Sequence, residues 1–334
     1  MDPSDEHSKP AVPYAKGWQF RVQAHTAPPP TPVTHGCCHI MKQETQEKTE
    51  LSQLEWCCRY PPLPGQTGTG SVHLEVLDAF QVRDGCNAQV FTAQVLQASS
   101  DIQHLQQGMT VVAKMYDPLY FDDDEGFVNP FRCVDKHYTY EARVYNVLSD
   151  MQGWLIPKFY GSYTLDIPVE GLGHREVRLI LIEYIPSKSM QQLHPKDFSQ
   201  SARKQIMKGI VDFETMVYYR DIGLTDQHPR NVLIVQNGNL ETDPDSQRKL
   251  IFIDFAGALL GRTRDDPMAK KINMFYGQYI SPLLRWKQRM MRWEFDDWID
   301  WDWDSWIDAE YAHTAPTITP EMQERFGPPS SCSP

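Results

Sequence analysis

Five polar residues set against apolar segments constrain this chain more than any other feature. Lys114 lies inside the strand-like TVVAKMYD, and Glu141 lies within the helical pattern KHYTYEARVYNVLSD, on one face with Val144, Tyr145 and Leu148. Asp226 and Asn231 belong to DQHPRN, directly before the apolar VLIV, and Asp254 ends KLIFID. A charge beside buried apolar surface is costly without a partner, so the fold has to supply one for each.

The surrounding pattern places these residues on elements. SVHLEVLDAFQV and AQVFTAQVLQA alternate and flank the turn-like RDGCN, which predicts a β-hairpin with TVVAKMYD as a third antiparallel strand. VRLILIEYIP is an apolar run of the kind a buried strand presents. A long helix is expected over FSQSARKQIMKGIVDFETMVYYRDIG, with Ile206, Ile210, Phe213 and Val217 on one face and Ser199 or Ser201 as cap. NVLIV and KLIFI then form a hairpin across a polar loop. In MRWEFDDWIDWDWDSWIDAEY, helical spacing would put Phe295, Trp298 and Trp301 on one face, a stripe that reads first as packing and second as a partner surface.

Composition bounds the rest. With 334 residues and 41% hydrophobic content the chain has enough material for a core. Ten of the 25 prolines fall within the first 64 residues, so residues 1–70 read as a disordered, proline-rich arm and residues 321–334 as a flexible tail. A formal net charge of −12 argues against nucleic acid as a partner. No run of 18 apolar residues and no signal-peptide pattern is present, so neither membrane nor secretion is expected, and an intracellular place, cytoplasmic or nuclear, is. Cys37, Cys38, Cys57 and Cys58 lack CxxC spacing and read as reduced surface thiols rather than a zinc site.

Phosphoryl transfer gives the five residues a common reason: a cation for phosphates, an acid to hold it, two oxygen ligands for Mg²⁺, and a base near the acceptor hydroxyl. Lys114, Glu141, the pair Asn231 and Asp254, and Asp226 fill those places in order. VVAK, the Glu of YTYEARVY, LIEYIP, D-x-x-x-x-N and IDFAG together resemble the protein-kinase-like superfamily over residues 71–310, most of all fungal kinase-like proteins of unassigned substrate. The D-x-H-P-x-N form is similar to that of aminoglycoside, choline and sugar kinases.

The resemblance implies an α+β, two-lobed protein-kinase-like fold, with an antiparallel β N-lobe over residues 71–186 and a mainly helical C-lobe over 187–320. It implies ATP and Mg²⁺ as cofactors and a protein or small molecule as acceptor. Nucleotide contacts would come from Gly85, Ala88 and Val90, from a hinge at Glu183, Tyr184 and Ile185, and from His228. The departures are specific. Only Gly85 remains of three loop glycines, Leu224-Thr225 replaces His-Arg, DFG becomes DFA, and no APE motif follows. Arg262, Arg264, Lys270 and Lys271 read as solvated charge with a hint of an anionic substrate. The expected activity is transfer of the γ-phosphate to a hydroxyl, and the alternative is a catalytically inactive pseudokinase that serves as an interaction module.

Overall fold

The computed structural model describes residues 9–30, 38–122, 127–236, 248–260, 277–287 and 289–327. Cys37 and the four basic residues at 262, 264, 270 and 271 lie outside them. The fold is mixed α and β. It divides into two compact units, Met1–Asn146 with Pro157–Ile185, and Val147–Ile156 with Pro186–Pro334, so the main junction falls one residue from the expected one.

The first unit is built on six strands: β1 (Gln19–Thr26), β2 (Gln66–Gln81), β3 (Gln89–Ala98), β4 (Thr110–Tyr116), β5 (Phe159–Val169) and β6 (Gly173–Glu183). Helices α1 (Lys42–Glu50), α2 (Gln53–Arg59) and α3 (Pro130–Val147) complete it. The expected β2-β3-β4 antiparallel order is present. It belongs to a closed antiparallel barrel, β1-β2-β3-β4-β6-β5, and not to an open sheet. Val72, Leu74 and Val76 of β2 point into the core at every second position, as a half-buried strand requires.

The barrel corrects the expectation of a disordered arm to residue 70. In QFRVQAHT the side chains of Phe20 and Val22 are buried while Gln19 and Arg21 are exposed, so a short period-two pattern sits inside the proline-rich stretch. It pairs with β2 on one side and β5 on the other. Tyr14, fully buried, donates its hydroxyl to Asp117, which also takes two hydrogen bonds from Arg175, at 2.6 and 3.0 Å. Cys57 of α2 is buried rather than on the surface, and burial pushes its thiol far up.

His25 of β1 is a second buried polar point in the barrel. Its Nδ1 lies 2.7 Å from the Tyr138 hydroxyl, and its Nε2 has no partner among the described residues. A Cβ at Gly65 would fall 2.4 Å from that Nε2, so only glycine fits over the ring. Burial, helped by the Arg178 charge, lowers the imidazole to about 4. A depressed folded-state value means that His25 contributes stability present above pH ~6.5 and lost as the pH falls toward 4. Asp135, raised to about 6 by burial, has the opposite sign, so comparison with a variant isolates the histidine. His25→Gln is expected to lose less melting temperature than the wild type between pH 6.5 and 4, read from thermal melts across that range.

The second unit holds β7 (Lys188–Ser189), α4 (Gln200–Tyr219), β8 (Ile222–Gly223), β9 (Val232–Gln236), β10 (Arg248–Phe252) and β11 (Leu259–Leu260). Ser199 caps α4 by accepting from the Ala202 N–H at 3.1 Å, and Ile206, Ile210, Phe213 and Val217 are its buried face. The strands form the sheets β10-β9-β7 and β11-β8. Glu214 of α4 and Arg285 are both buried and paired with each other, and the guanidinium lies over the Tyr218 ring.

Two expectations for the end of the chain are corrected. The Trp-rich stretch is not one helix: a 3-10 segment, Trp293–Trp298, gives way to an extended Ile299, and a new helix, Trp303–Tyr311, starts where Asp302 accepts from the Ser305 N–H. Phe295 and Trp298 are buried, while Trp301 is only half-buried. The first residues of the supposed tail belong to a helix, Pro320–Phe326, whose Met322 and Phe326 pack on Tyr218, Ile280 and Leu284. No helix among the described residues is long and apolar enough to cross a membrane.

Candidate functional site

In the first unit the register of the barrel places Lys114 of β4 opposite Val90 of β3 and Ile180 of β6. An ammonium on such a strand needs an acid. Glu141 supplies it from the buried face of α3, with Lys114 Nζ 2.7 Å from its Oε2; Lys114 is 7% exposed and Glu141 1%. Tyr116, two residues along β4 and therefore on the same face, donates its hydroxyl to the same carboxylate oxygen at 2.5 Å. The carboxylate is thus fixed from two sides, and its charge fixes the lysine.

The loop between β2 and β3, expected to cradle phosphates, is occupied by the protein's own groups. The side chain of Gln89, 1% exposed, accepts from the Arg83 N–H at 2.8 Å and donates to the Arg83 carbonyl at 2.7 Å. The Cys86 N–H donates to the Tyr120 carbonyl at 3.1 Å, and Lys9 pairs with Asp84 at 2.9 Å. Gly85 takes a φ of +74°, where its missing Cβ matters, and Ala88 is buried. Two of the loop's amides, those of Arg83 and Cys86, are thus engaged within the protein. Beyond β4 and β6, Glu183 exchanges hydrogen bonds with the Lys158 backbone, Tyr184 is exposed beside Phe80 with ring centroids 6.3 Å apart, and Ile185 is half-buried.

In the second unit two antiparallel pairs hold the remaining residues together. β8 leads into the loop that ends at β9, and the segment leaving β10 runs into β11, the partner of β8. Ile253 donates its N–H to the Asn231 carbonyl at 3.0 Å, and Thr225 Oγ1 donates to the Gly257 carbonyl at 2.7 Å. A Cβ at Gly257 would meet Thr225 Oγ1 at 2.9 Å, which explains a glycine one place after Ala256. Asp226, Asn231 and Asp254 consequently line one cleft, over Phe213, Phe252 and Phe295.

Within that cleft Asn231 Nδ2 donates to both the carbonyl and Oδ2 of Asp226, each at 3.0 Å. This uses the amide's donor side and leaves its oxygen as the group suited to a cation. Asp254 is exposed and holds a φ of +65°, a region that non-glycine residues rarely occupy and that collects at functional sites. The buried Phe255 anchors the strained residue from behind. A carboxylate and an amide oxygen are donors of the kind Mg²⁺ takes while it keeps waters and shares phosphate oxygens.

His228 is engaged with the protein: its Nδ1 accepts from the Arg230 N–H at 3.0 Å, and its Nε2 lies 3.4 Å from Glu294. Sequence reasoning does not single out Arg230, whose Nη2 lies 2.6 and 2.7 Å from the two oxygens of Asp226. The spacing of four was there to be read. Glu294 meets His228 through a contact distant in sequence and has no local signature.

A scan against protein-family models finds no match, and none of the curated proteins searched matches the chain.

Proposed function

We propose that the chain is an ATP- and Mg²⁺-dependent phosphotransferase of protein-kinase-like fold, passing the γ-phosphate to a hydroxyl of a protein or small-molecule acceptor. The observation that carries this reading is the cleft in which Asp226 orients Asn231 beside the strained Asp254. Asn231 and Asp254 would hold magnesium, which when bound supplies charge neutralisation at the phosphates. Asp226 receives the hydrogen bond of the acceptor hydroxyl and then its proton. Lys114, held by Glu141 and Tyr116, offers a fixed positive charge for nucleotide phosphates. Glu183, Tyr184 and Ile185 would meet the base.

A second reading, a pseudokinase that acts by binding partners, is favoured by the β2-β3 loop, whose Arg83 and Cys86 amides already have partners. Mg²⁺-dependent ATP turnover, with melting temperature followed alongside, separates the two. The first reading expects turnover and a rise in melting temperature with Mg²⁺·ATP, both removed by EDTA and both absent in Asp254→Ala. Protein that is folded yet shows neither effect would leave the binding module as the function.

A further inference from the structure

We propose that the outer edge of β10 is a docking site for an extended peptide segment of alternating apolar and acidic residues, which adds a further strand to the sheet β10-β9-β7; this stands apart from the reaction assigned to the Asp226 cleft. The backbone supplies the first reason. In an antiparallel pair, opposed residues alternate between those that exchange hydrogen bonds and those whose backbone groups turn outward. Ile253 donates to the Asn231 carbonyl on the β9 side, whereas Phe252 donates to the Leu155 carbonyl at 2.8 Å on the other. By that alternation the N–H and carbonyl of Leu250 also turn away from β9. Among the described residues, the bond from Phe252 to Leu155 is the one backbone hydrogen bond that reaches this edge, so the edge is paired at Phe252 and open at Leu250. An edge in that state is a template for another strand.

The surface beside the edge gives the occupant its chemistry. A groove within the second unit runs along it. On its floor Leu250 lies against Gly209 of α4, Phe252 stacks on Phe213 with ring centroids 3.8 Å apart, and Ala202 and Ile206 continue the apolar surface. Trp154 lines the rim half exposed, its indole N–H held by the Asp150 carbonyl at 2.8 Å, and so offers an aromatic anchor at little cost in ordering. Arg248 and Lys249 are the charged residues that line the groove, and among the described residues no acid does. In a chain with 44 acidic and 32 basic side chains, two cations together with no acid select a partner of negative charge. Lys249 Nζ is fixed on the Gly153 carbonyl at 2.8 Å, and the Arg248 guanidinium lies over the Phe198 ring. An added strand presents its side chains to alternate faces, so apolar residues would lie on the floor and acidic ones between them would meet the cations. A second copy of this chain is the poorer occupant, because pairing two β10 edges sets the same cations against each other.

The test uses the full chain and short synthetic peptides, with binding read by fluorescence anisotropy. A peptide of alternating glutamate and leucine is expected to bind at least about tenfold more tightly than one of alternating lysine and leucine, a preference that salt weakens. Of two glutamate–leucine peptides N-methylated at alternate positions, one should lose binding and the other keep it, because only every second amide meets β10. Arg248→Glu combined with Lys249→Glu should reverse the charge preference, with melting temperature followed to confirm the fold. Where that variant unfolds, the two N-methylated peptides on the wild type decide the matter alone. No binding by the wild type, equal binding of the acidic and basic peptides, or equal binding of the two N-methylated ones overturns the proposal. Concentration-dependent self-association that blocks peptide binding overturns it as well, and gives the edge to a second copy.

Discussion

A chain lacking residues 1–26 is expected to lose the fold of its first unit, measured as the loss of its cooperative unfolding transition in urea. The deletion removes β1, which closes the barrel by pairing with β2 and β5, and exposes the backbone edges of both neighbours. It also removes Phe20 and Val22 from the core and Tyr14 from Asp117. A point variant measures one part of this on its own. Asp117 and Arg175 are 2% and 4% exposed, so Arg175→Met leaves a buried carboxylate without its cation, a change that destabilises by about 3–5 kcal/mol. Against a total stability of about 5–15 kcal/mol for a domain, that is a large fraction. Adding Asp117→Leu to Arg175→Met should recover part of the loss, because two apolar groups need no partner. A deletion variant that unfolds like the full chain would show that β1 merely decorates an independently stable sheet.

What could be read from the residues follows from how local each signal is. Lys114 and Glu141 were legible because a charge on an apolar strand and another on an inward helix face each demand a partner, and the fold makes them partners at 2.7 Å. The Ser199 cap and the face of α4 were legible because helix start and period are written within one element. β1 was hidden by averaging. A strand of eight residues vanishes in a stretch judged by its prolines, and its pairing partners lie about 40 to 56 residues further along the chain in β2 and about 140 in β5. The Trp-rich segment misled for the opposite reason: tryptophans at helical spacing were visible, but Asp302, as the cap of a new helix, breaks the pattern that their spacing proposes. Gln89 shows a third limit, since a glutamine that closes its own loop looks in sequence like any other strand residue. The Asp226 cleft is the mixed case. Its acids and amide were legible, the arginine four residues after Asp226 had a local signal that went unread, and the Glu294 beside His228 had none.

Asp226→Asn is expected to lower Mg²⁺-dependent turnover by about 10²- to 10⁴-fold, the range that general-base groups contribute, while leaving the protein as stable as the wild type to within about 1 kcal/mol. The two halves of this prediction rest on different features of the same residue. Asp226 is exposed, its pair with Arg230 is half in solvent, and an asparagine oxygen can still accept from Asn231 Nδ2, so little of the fold depends on the charge. The proposed proton transfer depends on it, because an amide oxygen cannot take the proton of an acceptor hydroxyl. Asn231→Ala makes the informative contrast. Asn231 is 8% exposed and ties the loop to Asp226, so its loss should lower both turnover and melting temperature. Turnover and thermal melts measured on the same preparations separate the two variants. Activity persisting in Asp226→Asn at more than about a tenth of wild type would sink its role as base, since a positioned proton acceptor is worth at least 10²-fold. The reaction would then run on charge neutralisation alone, with Asp226 kept to orient Asn231.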